Sequence, residues 1–177
     1  MIPKFTKILF PTDLSEHARY AFKYAASVAA LYRAGIVILH VLDDDTPDNT
    51  RNMLAVFLGS EKMRELEQRQ EEHARNARDI LVGKRQEADI VKEALSLFYE
   101  DLKPRDSAVD TYPEILVKKG DTVDEIVLAT LEYKCDLIVM GHGKYNALSE
   151  AVIGSTTKSI LRKMQVPVLV IPMPKKN

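Results

Sequence analysis

Apolar and polar positions fall in blocks along the chain, and the period changes from block to block. Lys7-Ile8-Leu9-Phe10 is a short apolar run stopped by Pro11, the pattern of a buried strand. Asp13 and Ser15 beyond it are N-cap residue types, and Tyr20, Ala21, Tyr24, Ala25, Val28 and Ala29 follow helical spacing. Gly35 is expected to end that helix. Ile36-Val37-Ile38-Leu39-His40-Val41-Leu42 is a second strand of almost unbroken apolar character, which is how strands buried on both faces of a parallel sheet look.

Asp43 to Asp48 reads as a polar loop, and the Glu-, Arg-, Gln- and Ala-rich stretch from about Met53 to Val82 as one long helix interrupted by Gly83. Ile90, Val91, Ala94, Leu95 and Phe98 share one face of a further helix that ends by Pro104. Glu114 to Lys118 is a third strand, closed by Gly120, and Thr122 to Glu125 has the capping-box form with Thr122 as N-cap. Asp136 to Met140 is a fourth strand. A glycine-bearing loop, a helix from about Ser155 to Met164 and a fifth strand from Val166 to Ile171 follow. Strands alternating with helices predict an α/β fold, one doubly wound parallel sheet across residues 1–177. The stretch 83–110 is longer than a crossover needs and reads as a helical insertion. Such sheets bind ligands outside the carboxyl ends of their strands, where strand order reverses.

Composition narrows the classes. The chain has 177 residues, enough for one well-cored domain, and a net charge of -1, which gives no electrostatic footprint for nucleic acid. A single cysteine, Cys135, excludes an internal disulfide and fits a reducing cytoplasm. No apolar run approaches the roughly 20 residues that span a membrane. Met1-Ile2-Pro3-Lys4 runs straight into a strand, so no signal peptide is expected.

Candidate chemistry collects at the expected strand ends. These are Pro11, Thr12 and Asp13 after the first strand, Val41 in the second, and Met140-Gly141-His142-Gly143-Lys144 after the fourth, with Gly154, Ser155 and Thr156 at a helix start. Glycines let a backbone approach a phosphate, and a helix N-terminus offers free amides and a favourable dipole to it. Each feature also has a plain structural meaning. Asp13 serves as a cap, the glycines as a turn, and His142 as a solvated loop residue. His40 reads as a satisfied core or strand-end residue, and His17 and His73 as solvated surface. The Asp43–Asp45 run reads as a solvated acidic loop. No histidine pair has metal-ligand spacing.

The segments ILFPTDLSEHA, DLIVMGHGK, VIGSTTKSIL and VPVLVIP, with KKGDTVDEIV in support, resemble the universal stress protein family outside residues 83–110. That resemblance implies a five-stranded sheet of order 3-2-1-4-5 and an adenine nucleotide, ATP first, with Mg2+ or Mn2+ only as companion of the triphosphate. It implies that Asp13 hydrogen-bonds the adenine, that the Val41 backbone contacts the base, and that Gly141, Gly143, Gly154, Ser155 and Thr156 hold ribose and phosphates. It also implies a homodimer through antiparallel pairing of the last strand, at Val166, Val168 and Val170. ATP-binding members carry G-x2-G-x9-G-(S/T), whereas this chain has Gly141-x-Gly143-x10-Gly154-Ser155. The outer spacing is kept and the middle glycine arrives one residue early. The loop either absorbs the shift or misplaces the phosphate-gripping amides.

Three functions follow from different classes. One is a nucleotide-dependent regulatory or stress-response switch with slow or no hydrolysis, since no residue reads as a dedicated general base or arginine finger. Another is a dimeric interaction protein without nucleotide. The last is an ATP-using enzyme, against which the first strand ends without a glycine-rich phosphate loop and no Walker-type motif occurs.

Overall fold

Two strands with no polar face set the frame. β1 (Lys7–Thr12) and β2 (Gly35–Leu42) pair in parallel from Lys7 opposite Gly35 to Thr12 opposite His40. The computed structural model describes residues 2–42, 50–76, 87–102, 112–142 and 153–174. Within them β3 (Glu114–Lys119) pairs with β2, β4 (Leu137–Gly141) with β1, and β5 (Val168–Ile171) with β4. All pairs are parallel and the order is β3-β2-β1-β4-β5, as expected. Along β2, Ile36 and Ile38 enter one core while Val37 and Leu39 enter the other, which is why the run carries no polar alternation.

The larger core lies under α1 (Glu16–Tyr32), α2 (Thr50–Leu58) and α4 (Glu87–Leu102), with α3 (Ser60–Asn76) adding the buried Leu66. The smaller core lies under α5 (Thr122–Glu132) and α6 (Ser155–Lys163). The face of α4 buries Val91, Ala94, Leu95 and Phe98. Phe98 meets Phe22 of α1 at 5.1 Å and Phe57 of α2 at 4.2 Å between ring centroids. Residues 87–102 are therefore part of the main core, and their apolar face is covered by the same chain. No helix among the described residues is long and apolar enough to cross a membrane.

Several boundaries differ from the sequence reading, each for a local reason. α1 closes at Arg33, in the left-handed region at φ 54, with Ala34 N–H on Ala29 O; Gly35 instead opens β2. The expected long helix breaks at Gly59, whose φ of 81 favours glycine, into α2 and α3. Residues 77–82 of that expected helix lie outside the described residues. Asp121, not Thr122, caps α5, accepting the Asp124 amide at 2.9 Å. β5 starts at Val168 because Pro167 has no N–H for the ladder, although its carbonyl accepts from Ile138.

A carboxylate clasps the amino ends of β1 and β4. Asp136 Oδ2 accepts from the Thr6 amide (2.8 Å) and hydroxyl (2.6 Å), and Oδ1 accepts from the Lys7 amide (3.1 Å). Burial pushes this carboxyl up, but those hydrogen bonds outweigh it and hold it below its ordinary value. A carboxyl lowered on folding stabilises fully above its unfolded value of about 3.9 and loses that contribution as pH falls through the folded value. Asp136→Ala is expected to cost about 1–3 kcal/mol in urea unfolding at neutral pH. The gap to the parent chain should narrow as pH falls below the unfolded value and through the folded one; a gap independent of pH would contradict the clasp.

Candidate functional site

Strand order reverses between β1 and β4. Their ladder pairs Ile8 with Leu137 and Leu9 with Ile138, and Pro11, which has no N–H, lies beyond it in β1, whereas β1 follows β2 to its last residue. At such a switch point an open parallel sheet offers a ligand crevice outside the carboxyl ends of its strands. The first turn of α1 packs against the end of β4. A Cβ built on Gly141 would meet His17 O at 3.3 Å and His17 C at 3.4 Å. A side chain at Gly141 would crowd the α1 backbone, and His17, expected as solvated surface, is half-buried there.

The turn after β1 is a chain of side chains capping backbone amides. Thr12 Oγ1 accepts from Leu14 N–H at 3.1 Å, Asp13 Oδ1 from Ser15 N–H at 3.1 Å, and Ser15 Oγ from Ala18 N–H at 3.2 Å. Leu14 takes φ 57, unusual for a residue with a side chain, and is buried in the larger core, which anchors the turn. Ser15 is the N-cap of α1, so the capping reading of Asp13 is replaced by an Asx-type turn one step earlier. With the Leu14 and Ser15 amides already bonded, this corner is a poor phosphate cradle. What it offers is acceptors, above all the exposed Asp13 carboxylate.

Across the crevice the polarity is opposite. α6 is capped by Gly154 at φ -58, ψ 157, with no side-chain cap on its first amides. Ser155 is exposed, Thr156 half-buried and Thr157 buried, and Lys158 N–H closes the first turn on Gly154 O at 3.0 Å. Donors and the positive end of the helix dipole gather there.

The remaining expected residues are distributed unevenly. Val41 is half-buried near the end of β2. Met140 is buried in the smaller core, and Pro11 is half-buried within β1 opposite Leu39. The His142 amide is spent on Ile171 O at 2.9 Å and so belongs to the β4–β5 ladder. Gly143 and Asp43–Asp45 lie outside the described residues. No group of three or more metal-ligating side chains occurs among the described residues. Cys135 is buried, and burial pushes its thiol up to about 11, the state of an inert structural cysteine.

One polar contact was not legible from local sequence. His40 is buried and its Nδ1 lies 2.8 Å from Thr12 O. A carbonyl only accepts, so Nδ1 carries the proton. Burial pushes this imidazole below its ordinary value, against the opposing influence of the Thr12 carbonyl and the charges of Asp13 and Glu87.

The universal stress protein family model matches residues 4–172. Universal stress protein MJ0577 of Methanocaldococcus jannaschii is 30% identical over 168 residues, covering 94% of each chain. Universal stress protein MJ0531 of the same organism is 27% identical over 175 residues, 98% of this chain and 85% of that one. Among solved structures, universal stress protein UspA from Lactobacillus plantarum superposes with a TM-score of 0.57 at 24% identity, covering 96% of this chain and 99% of that chain. A universal stress protein in complex with cAMP superposes with a TM-score of 0.57 at 18% identity, covering 96% and 98%. The two superpositions show a shared fold.

Gly141→Ala should lower stability by about 1–3 kcal/mol in chemical unfolding, because the added methyl must displace the α1 backbone. An unaffected midpoint would mean that α1 and β4 are not in close contact at this point.

Proposed function

This chain belongs to the universal stress protein family, and on that premise we propose that it is a cytoplasmic adenine-nucleotide switch that binds ATP, or another adenine nucleotide, in the crevice between β1 and β4. The observation that carries the reading is the opposed polarity of the two walls. The Thr12–Ser15 corner has its Leu14 and Ser15 amides bonded and presents the Asp13 carboxylate as an acceptor, which suits the exocyclic amine of adenine. The start of α6 keeps donors, which suit phosphates. Asp13 and the Val41 backbone would hold the base. Gly154, Ser155 and Thr156 would hold ribose and phosphate oxygens, with Gly141, His142 and Gly143 lining the approach. The cAMP complex of the solved relative supports an adenine nucleotide as a ligand that this fold accommodates. A divalent cation would arrive on the triphosphate and needs no protein cage.

The same corner speaks against an ATP-using enzyme with its phosphate loop after β1, because the Leu14 and Ser15 amides are already bonded. Calorimetric titration of nucleotide-stripped protein with ATP and magnesium tests the reading. Micromolar binding is expected, about tenfold weaker in Asp13→Ala and Gly154→Val, since a tenfold change corresponds to the loss of one good contact. Backbone angles at Gly154 suit valine, so that variant should fold. Absence of binding in the parent chain would leave a nucleotide-free interaction protein as the better reading.

We further propose that two copies pair through β5. It is the last strand of the sheet, Leu169 is 37% exposed, and Val168 and Val170 are only half-covered by the smaller core. Leu169→Lys is expected to yield folded monomers in sedimentation, with a melting temperature no longer dependent on protein concentration. Val168→Lys and Val170→Lys would also disturb the smaller core and so test less cleanly. A Leu169→Lys dimer would place the interface elsewhere.

A further inference from the structure

Among the described residues four polar side chains are buried, and two of them, Thr12 (7% exposed) and His40 (5%), sit opposite each other at the carboxyl ends of β1 and β2. Their bond is directional. His40 Nδ1–H donates to the Thr12 carbonyl at 2.8 Å, while the Thr12 hydroxyl accepts the Leu14 amide at 3.1 Å. Thr12 is thus held on one side by His40 and on the other holds Leu14 in its left-handed turn. Asp13 lies between these two anchors. Its direction is set by Thr12 before it and by its own bond to Ser15 after it.

We propose that His40 is a positioning residue that fixes the Thr12–Ser15 corner for the base of an adenine nucleotide, with the neutral ring protonated at Nδ1 as the binding-competent form. The proposal rests on the nucleotide reading above and adds a pH-dependent control to that site. Among the described residues the charged groups acting on the ring are Asp13 at the corner and Glu87 at the start of α4. Glu87 is itself bonded to the Thr50 hydroxyl at the start of α2. A second proton on His40 adds an Nε2–H donor and a positive charge that attracts these carboxylates. Asp13 is then drawn toward the imidazolium and away from the base. Burial opposes that proton, so the neutral form dominates at neutral pH and acid reverses it. Base affinity should therefore fall on acidification while the phosphate subsite at α6, on the other wall, is unaffected.

The experiment titrates adenosine and inorganic tripolyphosphate separately into the full chain, its His40→Val variant and its His40→Asn variant. Adenosine avoids the phosphate group that titrates in the same range. His40→Val should weaken adenosine about tenfold and leave tripolyphosphate unchanged. His40→Asn, whose amide reaches the same carbonyl, should recover to within about threefold of the parent. Parent affinity for adenosine should fall on acidification from neutral pH, with no such fall in His40→Asn. His17 and His142 remain in the variant, so a fall that persists there is not owed to His40 and overturns the proposal. Equal loss of adenosine and tripolyphosphate in His40→Val would mean a purely structural role and overturn it too. Unchanged adenosine affinity in His40→Val overturns the proposal and leaves the nucleotide reading standing; failure of the parent to bind either adenosine or ATP overturns both. Should the variants not fold, nitrogen-15 spectra of the parent imidazoles decide. An Nδ1–H tautomer that shifts with adenosine supports the proposal, and an Nε2–H tautomer or an unmoved ring contradicts it.

Discussion

The structure depends on how β1 and β4 are held. They are clasped at their amino ends by Asp136, and α1 packs on Gly141 at the carboxyl end of β4. Strand order reverses at this same place, which puts the carboxyl ends of β1 and β4 at the switch point of the sheet. The two cores support the arrangement from opposite sides. Phe22, Phe57 and Phe98 fasten α1, α2 and α4 over one face, and Ile126 and Ile160 fasten α5 and α6 over the other.

That constraint gives the crevice its two characters. The sharp turn into α1 needs capping by Thr12, Asp13 and Ser15, and capping consumes amides. The entry into α6 is capped by a glycine and leaves its amides without side-chain partners from the cap. Opposed polarity is therefore a consequence of how each helix begins. A ligand with a donor-bearing ring at one end and negative charge at the other matches it.

Much of the fold was legible because apolar runs without alternation identify buried parallel strands, and a change of period identifies helices. The strand order and the covering of α4 were not matters of local pattern; the first followed from resemblance and the second required the packed core. Boundaries slipped where one residue's backbone angle decides, as at Arg33 against Gly35, Asp121 against Thr122, and Gly59 within one helical pattern. The site was legible as a set of strand ends, but the roles within it were not. His40 reaches Thr12 through sheet register across 28 positions, and Asp136 reaches Thr6 across 130. Gly141, read as a phosphate-loop glycine, has a packing reason that only the position of α1 reveals. Val41 and Gly154 needed no correction of place, since strand ends and helix starts follow directly from the pattern.

A nucleotide bridging two walls of opposite polarity would move the amide resonances of both, and mapping them in isotope-labelled protein on addition of ATP is the most direct test. The largest shifts should fall together on Thr12 to Ser15, Val41 and Gly154 to Thr156, with the amino ends of the strands around Thr6 and Asp136 unmoved. Shifts confined to one wall, or centred away from the β1–β4 crevice, would contradict it.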